Sequence, residues 1–204
     1  MFRKVIIGII VLYLASVLVA SGYTFFSVRS EVRGMLVDKY REHFRTSSVL
    51  IRGFFEEIQS DLLTLADHDS VRTRYDRHFT SFLDADEETF QYRYTDAEQD
   101  IIDLFYAYRL RHPNVGSVYM GRSNGSFVRS HPRTRPTRYD PRDRPWYQAA
   151  LNAGGQPVLV DAYPSVTNND VNIGCVVALV DDEGYAFGVV GMDVTLRRLS
   201  EEMG

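Results

Sequence analysis

The 204-residue chain has room for one domain of ordinary size beyond a terminal segment. Its formal net charge of −4 argues against a nucleic-acid binder, which carries a basic face. The only cysteine, Cys175, excludes an intramolecular disulfide and any paired-cysteine zinc or redox site, and its apolar neighbours Val176 to Val180 point to a buried, inert thiol.

Val5 to Phe26 runs about 22 residues without a charge, enough to cross a bilayer core. Arg3 and Lys4 precede it, which puts residues 1–4 in the cytoplasm and the chain beyond the span outside. Ala20-Ser21-Gly22 offers the rival reading of a cleaved signal peptide. The apolar stretch is longer than an h-region, however, and no clean A-x-A site follows it. An uncleaved transmembrane helix over 5–26 is the expectation.

From residue 28 to 66 there is no proline, and Val32, Leu36, Tyr40, Phe44, Ser47, Leu50 or Ile51, Phe54, Ile58, Leu62 and Leu65 trace one helical stripe. This predicts a long amphipathic helix, with Gly53 its weak point and Asp67-His68-Asp69 its end. Phe54-Phe55 and Leu62-Leu63 widen the stripe beyond a coiled-coil seam, so packing on the globular part is expected. A homodimer through the same helix is the other use of that face. Val71 to Tyr94 reads as short helix and loop. Thr95-Asp96-Ala97-Glu98 has capping-box spacing and opens a second helix over 96–111, with Ile101, Ile102, Phe105, Tyr108 and Leu110 as its apolar face. His112-Pro113-Asn114 stops it.

The periodicity then changes to that of strands. Val115 to Met120 and Ser126 to Ser130 form a predicted hairpin around Asn124-Gly125. A short helix follows over 146–153, ended by Gly154-Gly155. Strands are expected over 158–163, 172–180 and 185–193, the last two joined through Asp181-Asp182-Glu183-Gly184, and a final helix over 195–203. The order predicts an α+β domain with an antiparallel sheet in meander succession.

Between the hairpin and the short helix lies Tyr139-Asp140-Pro141-Arg142-Asp143-Arg144-Pro145-Trp146-Tyr147. Two prolines stiffen this run, guanidinium groups match a carboxylate bidentately, and the aromatics supply apolar walls with polar tips. A pocket for a small organic anion fits these parts. So does a structural loop whose Trp plugs a core while its arginines pair with surface acids.

The membrane-exiting helix, the second helix, the hairpin, this nine-residue run and the closing Gly188-Val189-Val190-Gly191-Met192-Asp193-Val194 together resemble the extracytoplasmic Cache sensor family. The match is to the membrane-distal, PAS-like module of double-Cache receptors and covers nearly all of 28–204. The resemblance implies residues 67–204 as a PAS-like ligand-binding module, in a protein of signal transduction or chemotaxis at the bacterial inner membrane, with the module in the periplasm. It also implies a free L-amino acid as ligand, in the manner of one subset of the family. On that pattern Tyr139 helps hold the ligand's ammonium, Arg144 binds its carboxylate, and Trp146 and Tyr147 complete the carboxylate end. Tyr163 is a further pocket tyrosine, and Asp193 pairs with the ammonium.

Other roles fit the same residues. Asp193 suits the N-cap of the final helix, Tyr163 a sheet-surface aromatic, and Asp140 the shaping of a turn. Arg142 and Asp143 suit pairing with each other or with solvent. The resemblance implies a second module, a second span and an output domain, which do not follow Gly204 here. A shortened receptor, or a single-span protein presenting one module, is therefore expected. No zincin motif, nucleophile elbow or Cys/His cluster occurs, and His43, His68, His78, His112 and His131 are unpaired by spacing, so neither enzyme chemistry nor a cofactor or metal is expected. The readings that remain beside amino-acid sensing are a ligand-free dimerisation module and a sensor of another carboxylate or amine. An amine would leave Arg144 without its anion.

Overall fold

The computed structural model describes residues 2–164 and 171–195. The chain divides into two units, Met1–Arg52 and Gly53–Gly204. In the first, helix α1 (Phe2–Ala66) carries a stretch long and apolar enough to cross a membrane, with none of it buried. The stripe residues Val32, Leu36, Tyr40, Phe44 and Leu50 of this unit are exposed. The backbone stays helical through Gly53 and ends at Ala66, one residue before the Asp-His-Asp stop.

The second unit is built on a five-stranded sheet. Its elements are the end of α1, α2 (Asp69–Arg72), α3 (Asp96–Arg111), β1 (Val115–Arg122), β2 (Phe127–Arg129), α4 (Pro145–Asn152), β3 (Val158–Pro164), β4 (Val171–Val180) and β5 (Ala186–Thr195). The Thr95 hydroxyl accepts from Glu98 N–H at 3.3 Å, so α3 starts where the capping pattern places it. The carboxylate of Glu98 turns to the Thr80 N–H at 3.0 Å and ties the preceding loop to the helix. Leu110 departs from the predicted apolar face and is exposed. Ile101 and Phe105, four apart, set the buried line, and Leu110 falls off it. The hairpin turns at Gly125, whose φ of 85° suits glycine, and the Asn124 side chain accepts from Ser126 N–H.

All strand pairs are antiparallel, but the order β2-β1-β5-β4-β3 is not the expected meander. The last strand lies at the centre, between β1 and β4. The segment holding α4 separates β2 from β3 and leaves them at opposite edges. Central placement suits β5, whose run Phe187 to Met192 is buried throughout. Val190 and Met192 face the layer that holds Ile58, Leu62, Leu65, Ile101 and Phe105. Val189 faces a second layer with Tyr119, Phe127, Trp146 and Ala150. Cys175 is fully buried, and burial pushes its thiol up to about 12, the inert state expected of it. The predicted helix over 195–203 lies outside the described residues except for Thr195, which belongs to β5.

Candidate ligand-binding site

The nine-residue run docks on β1 at Gly121. A Cβ there would lie 2.7 Å from Pro141 Cβ and 2.9 Å from the Trp146 ring, so only glycine admits the loop this closely. Asp140 Oδ1 accepts from Arg142 N–H at 2.9 Å and shapes the turn, while the Asp140 carboxylate also holds the Arg142 guanidinium, at 2.6 Å for the shortest contact. Arg142 thus pairs with Asp140 rather than Asp143. That pairing spends both residues on the loop and leaves Arg144 to point elsewhere.

Arg144 lines a cleft of about 430 Å³, open solvent at its mouth included, on the second face of the sheet. Tyr139, Trp146, Tyr163 and Asp193 line it too, so five of the six sequence-predicted residues converge. Tyr147 does not. Successive residues on a helix point about 100° apart, and with Trp146 at the cleft the Tyr147 ring turns into the core, packed on Trp146 at 5.6 Å. Arg144 lies over the Tyr139 ring at 5.9 Å, and its Nε is buried without a hydrogen-bond partner among the described residues.

Asp193 sits in a cradle made by three other strands. Its Oδ1 accepts from Tyr163 Oη on β3 at 2.6 Å and from Tyr119 Oη on β1 at 2.9 Å, and its Oδ2 accepts from Asn172 Nδ2 on β4 at 3.0 Å. An ionised carboxylate offers about four acceptor positions, so one at Oδ2 is left over among these contacts. The register explains the convergence. Asp193 pairs with Ser117 on one side and Gly174 on the other, and Tyr119 lies opposite Gly191. A Cβ on Gly191 would stand 2.6 Å from the Tyr119 ring, and one on Gly174 would stand 3.2 Å from Tyr163 Oη. The two glycines let the tyrosines lie flat and reach the carboxylate.

Burial raises Asp193 to about 6 against the pull of the Tyr163 and Tyr119 hydroxyls and the nearby Arg129. Burial and the same carboxylate hold both hydroxyls far above the usual tyrosine range, so they remain donors. Six further lining residues, Ser117, Tyr119, Phe127, Arg129, Arg133 and Asn172, were not singled out in the sequence. Tyr119, Ser117 and Arg129 alternate with residues of the helix-facing core, a period-2 signal that becomes readable once the strands and their order are known.

Residues 75–201 match the model of the family described as methyl-accepting chemotaxis protein-like, first PDC sensor domain. The chain belongs to this family. Among curated relatives of this sensor-domain family, the chemotaxis protein McpB of Bacillus subtilis is 36% identical over 106 residues, 52% of this chain and 15% of the relative. McpA of Pseudomonas putida is 41% identical over 84 residues, 41% of this chain and 13% of the relative. The chain therefore spans only about 15% of the length of McpB. In fold it is similar to the ligand-binding domain of the Pseudomonas fluorescens chemoreceptor CtaA, solved with L-serine, with a TM-score of 0.59, 19% identity, and coverage of 80% of this chain and 61% of that one.

Proposed function

We propose that this sensor domain binds a free L-amino acid in the cleft between Arg144 and Asp193, as the extracytoplasmic input of a chemotaxis receptor. The observation that carries the reading is the pairing of opposite charges in one small cavity. A guanidinium whose buried Nε has no hydrogen-bond partner among the described residues stands on the loop, and a carboxylate with an acceptor position not taken by Tyr119, Tyr163 or Asn172 stands on β5. An α-amino acid brings an anion and a cation on one carbon and satisfies both, whereas an amine or a simple carboxylate satisfies one. Arg144 takes the carboxylate, with Trp146 as its wall; Asp193 takes the ammonium, oriented by Tyr119, Tyr163 and Asn172. Tyr139 helps hold the ammonium in this reading, and Tyr147 supports Trp146 from the core. The L-serine held by CtaA is a ligand of the same class.

Residues 5–26 anchor the protein in the cell membrane in this proposal, with residues 1–4 cytoplasmic, the helix over 28–66 leading out, and the module over 67–204 in the periplasm. The exposed stripe of α1 is the proposed homodimer face. A thermal-shift screen of the full chain in detergent, with the proteinogenic amino acids at millimolar concentration, tests the ligand class, because a bound ligand stabilises by RT ln(1 + [L]/Kd). At least one amino acid raises Tm, and R144A loses that shift while keeping its ligand-free Tm within a few degrees. A well-folded protein that responds to none of them refutes the reading.

A further inference from the structure

Arg144 is not the only cation at the cleft. Arg129 at the end of β2 and Arg133 beyond it line the same cavity, and the only carboxylate lining it among the described residues is that of Asp193. The described wall therefore carries a formal excess of two positive charges. Arg129 Nε donates to Ser117 Oγ at 2.8 Å, which fixes it on the Asp193 side, where Ser117 and Asp193 are register partners. Arg133 is 7% exposed and donates from Nη1 to Thr137 O at 3.0 Å. Its guanidinium stands 4.6 Å from the centre of the Tyr139 ring, and that of Arg144 stands 5.9 Å from the same ring. One aromatic side chain thus has two guanidinium groups against it, both at the cavity.

Guanidinium groups that line one cavity repel one another. Arg133 is lowered first by its own burial and also by Arg144, and Arg129 first by burial and also by Arg133. A zwitterion with a neutral side chain brings no net charge to relieve this. One carboxylate pairs with one guanidinium bidentately, so the ligand's α-carboxylate accounts for Arg144 and leaves the wall cationic. A second carboxylate a few bonds from the first answers the remaining excess.

We propose that the cleft is selective for a dicarboxylic amino acid, with Arg144 on the α-carboxylate and Arg133, beside it across Tyr139, on the side-chain carboxylate. Arg129 supports this selectivity as a fixed positive charge at the Asp193 end. The proposal rests on the amino-acid reading and adds the charge of the side chain. Arg133 follows the hairpin and lies outside the nine-residue run, so it is a specificity residue distinct from the Arg144 and Asp193 pair.

Two isosteric pairs isolate the charge: L-glutamate against L-glutamine, and L-aspartate against L-asparagine. Titration calorimetry on the full chain in detergent at pH 7.5 and low salt reads the four affinities. In at least one pair the acid binds about tenfold or more tighter than its amide, the range of a hydrogen bond to a charged group. R133Q lowers that ratio toward one, and R133K keeps more of it than R133Q does. The wild-type ratio decides the proposal without any variant, so misfolding of R133Q does not shelter it. If the amides bind as tightly as the acids or tighter, the selectivity is overturned and the amino-acid reading stands. If the acids win but R133Q leaves the ratio intact, the assignment to Arg133 is overturned. If no amino acid binds, both readings fall together.

Discussion

Acidification from pH 7 to pH 5 weakens amino-acid binding about tenfold if Asp193 holds the ammonium. The magnitude follows from one group. With Asp193 at about 6, roughly nine in ten molecules carry the carboxylate at pH 7 and about one in ten at pH 5, and only that form pairs with an ammonium. The other groups around it do not titrate in this window. Tyr119 on β1 and Tyr163 on β3 are held far above it, Asn172 on β4 does not ionise, and Arg129 on β2 keeps its charge. His131, pushed down to about 4 by burial and then by Arg129 and Arg109, stays neutral. L-Glutamine is the suitable probe because its side chain carries no titrating group, and calorimetric titration at half-unit steps gives the profile. D193N flattens it and binds weakly throughout. An affinity that is constant or rises from pH 7 to pH 5 refutes the role given to Asp193. Ligand-free stability runs the other way. A carboxylate raised on folding from its usual value near 3.8 to about 6 destabilises the folded state at pH 7, by at most about 3 kcal/mol, and the penalty is relieved as pH falls through 6. Without ligand, D193N at pH 7 is therefore at least as stable as the wild type.

Two further substitutions test the scaffold. G191A places a Cβ 2.6 Å from the Tyr119 ring, so the ring has to swing off Asp193; a loss of about 1–3 kcal/mol in stability and weaker ligand binding are expected from thermal melts and titration, and unchanged affinity removes Tyr119 from the cradle. Arg122 is fully buried, donates from Nη2 to Val71 O at 2.7 Å and lies over the Phe187 ring at 5.2 Å, yet its Nε and Nη1 have no hydrogen-bond partner among the described residues. R122A destabilises by about 3 kcal/mol in thermal or urea melts, and R122M by clearly less, because much of the contribution of Arg122 is the packing of its stem. Equal losses in the two variants refute that division.

Most of the elements were legible because their signals are local. Thr95 and Glu98 marked the start of α3, Asn124-Gly125 the hairpin, and the two glycines after Ala153 the end of α4. The residues proposed for the charged ends came from a sequence pattern, and the structure brings Arg144 and Asp193 to one cavity. What was not legible depends on strand order. Tyr119 reads as one aromatic in an alternating strand until β5 is placed beside β1, and a meander would have kept β1 from pairing with β5 at all. Asn172 and Ser117 likewise acquire a role only through register with Tyr163 and Asp193. Tyr147 shows the converse. The run singled it out, and helical geometry alone turned its side chain to the core.

The strand order also explains why the site holds a charge pair rather than a single charge. Placing the last strand in the middle of the sheet puts Asp193 where β1 and β4 supply Tyr119 and Asn172 from both sides, and β3 adds Tyr163 over the smooth backbone at Gly174. These three donors are fixed before any ligand arrives, so none of their ordering has to be done on binding. They keep the carboxylate partly ionised near neutral pH in a position where burial alone would neutralise it more fully. Arg144 is stranded in the same way at the other end, with a buried Nε that the described protein does not satisfy. Each half of the cleft is thus left incomplete by the described protein, and in the proposed reading an α-amino acid completes both at once.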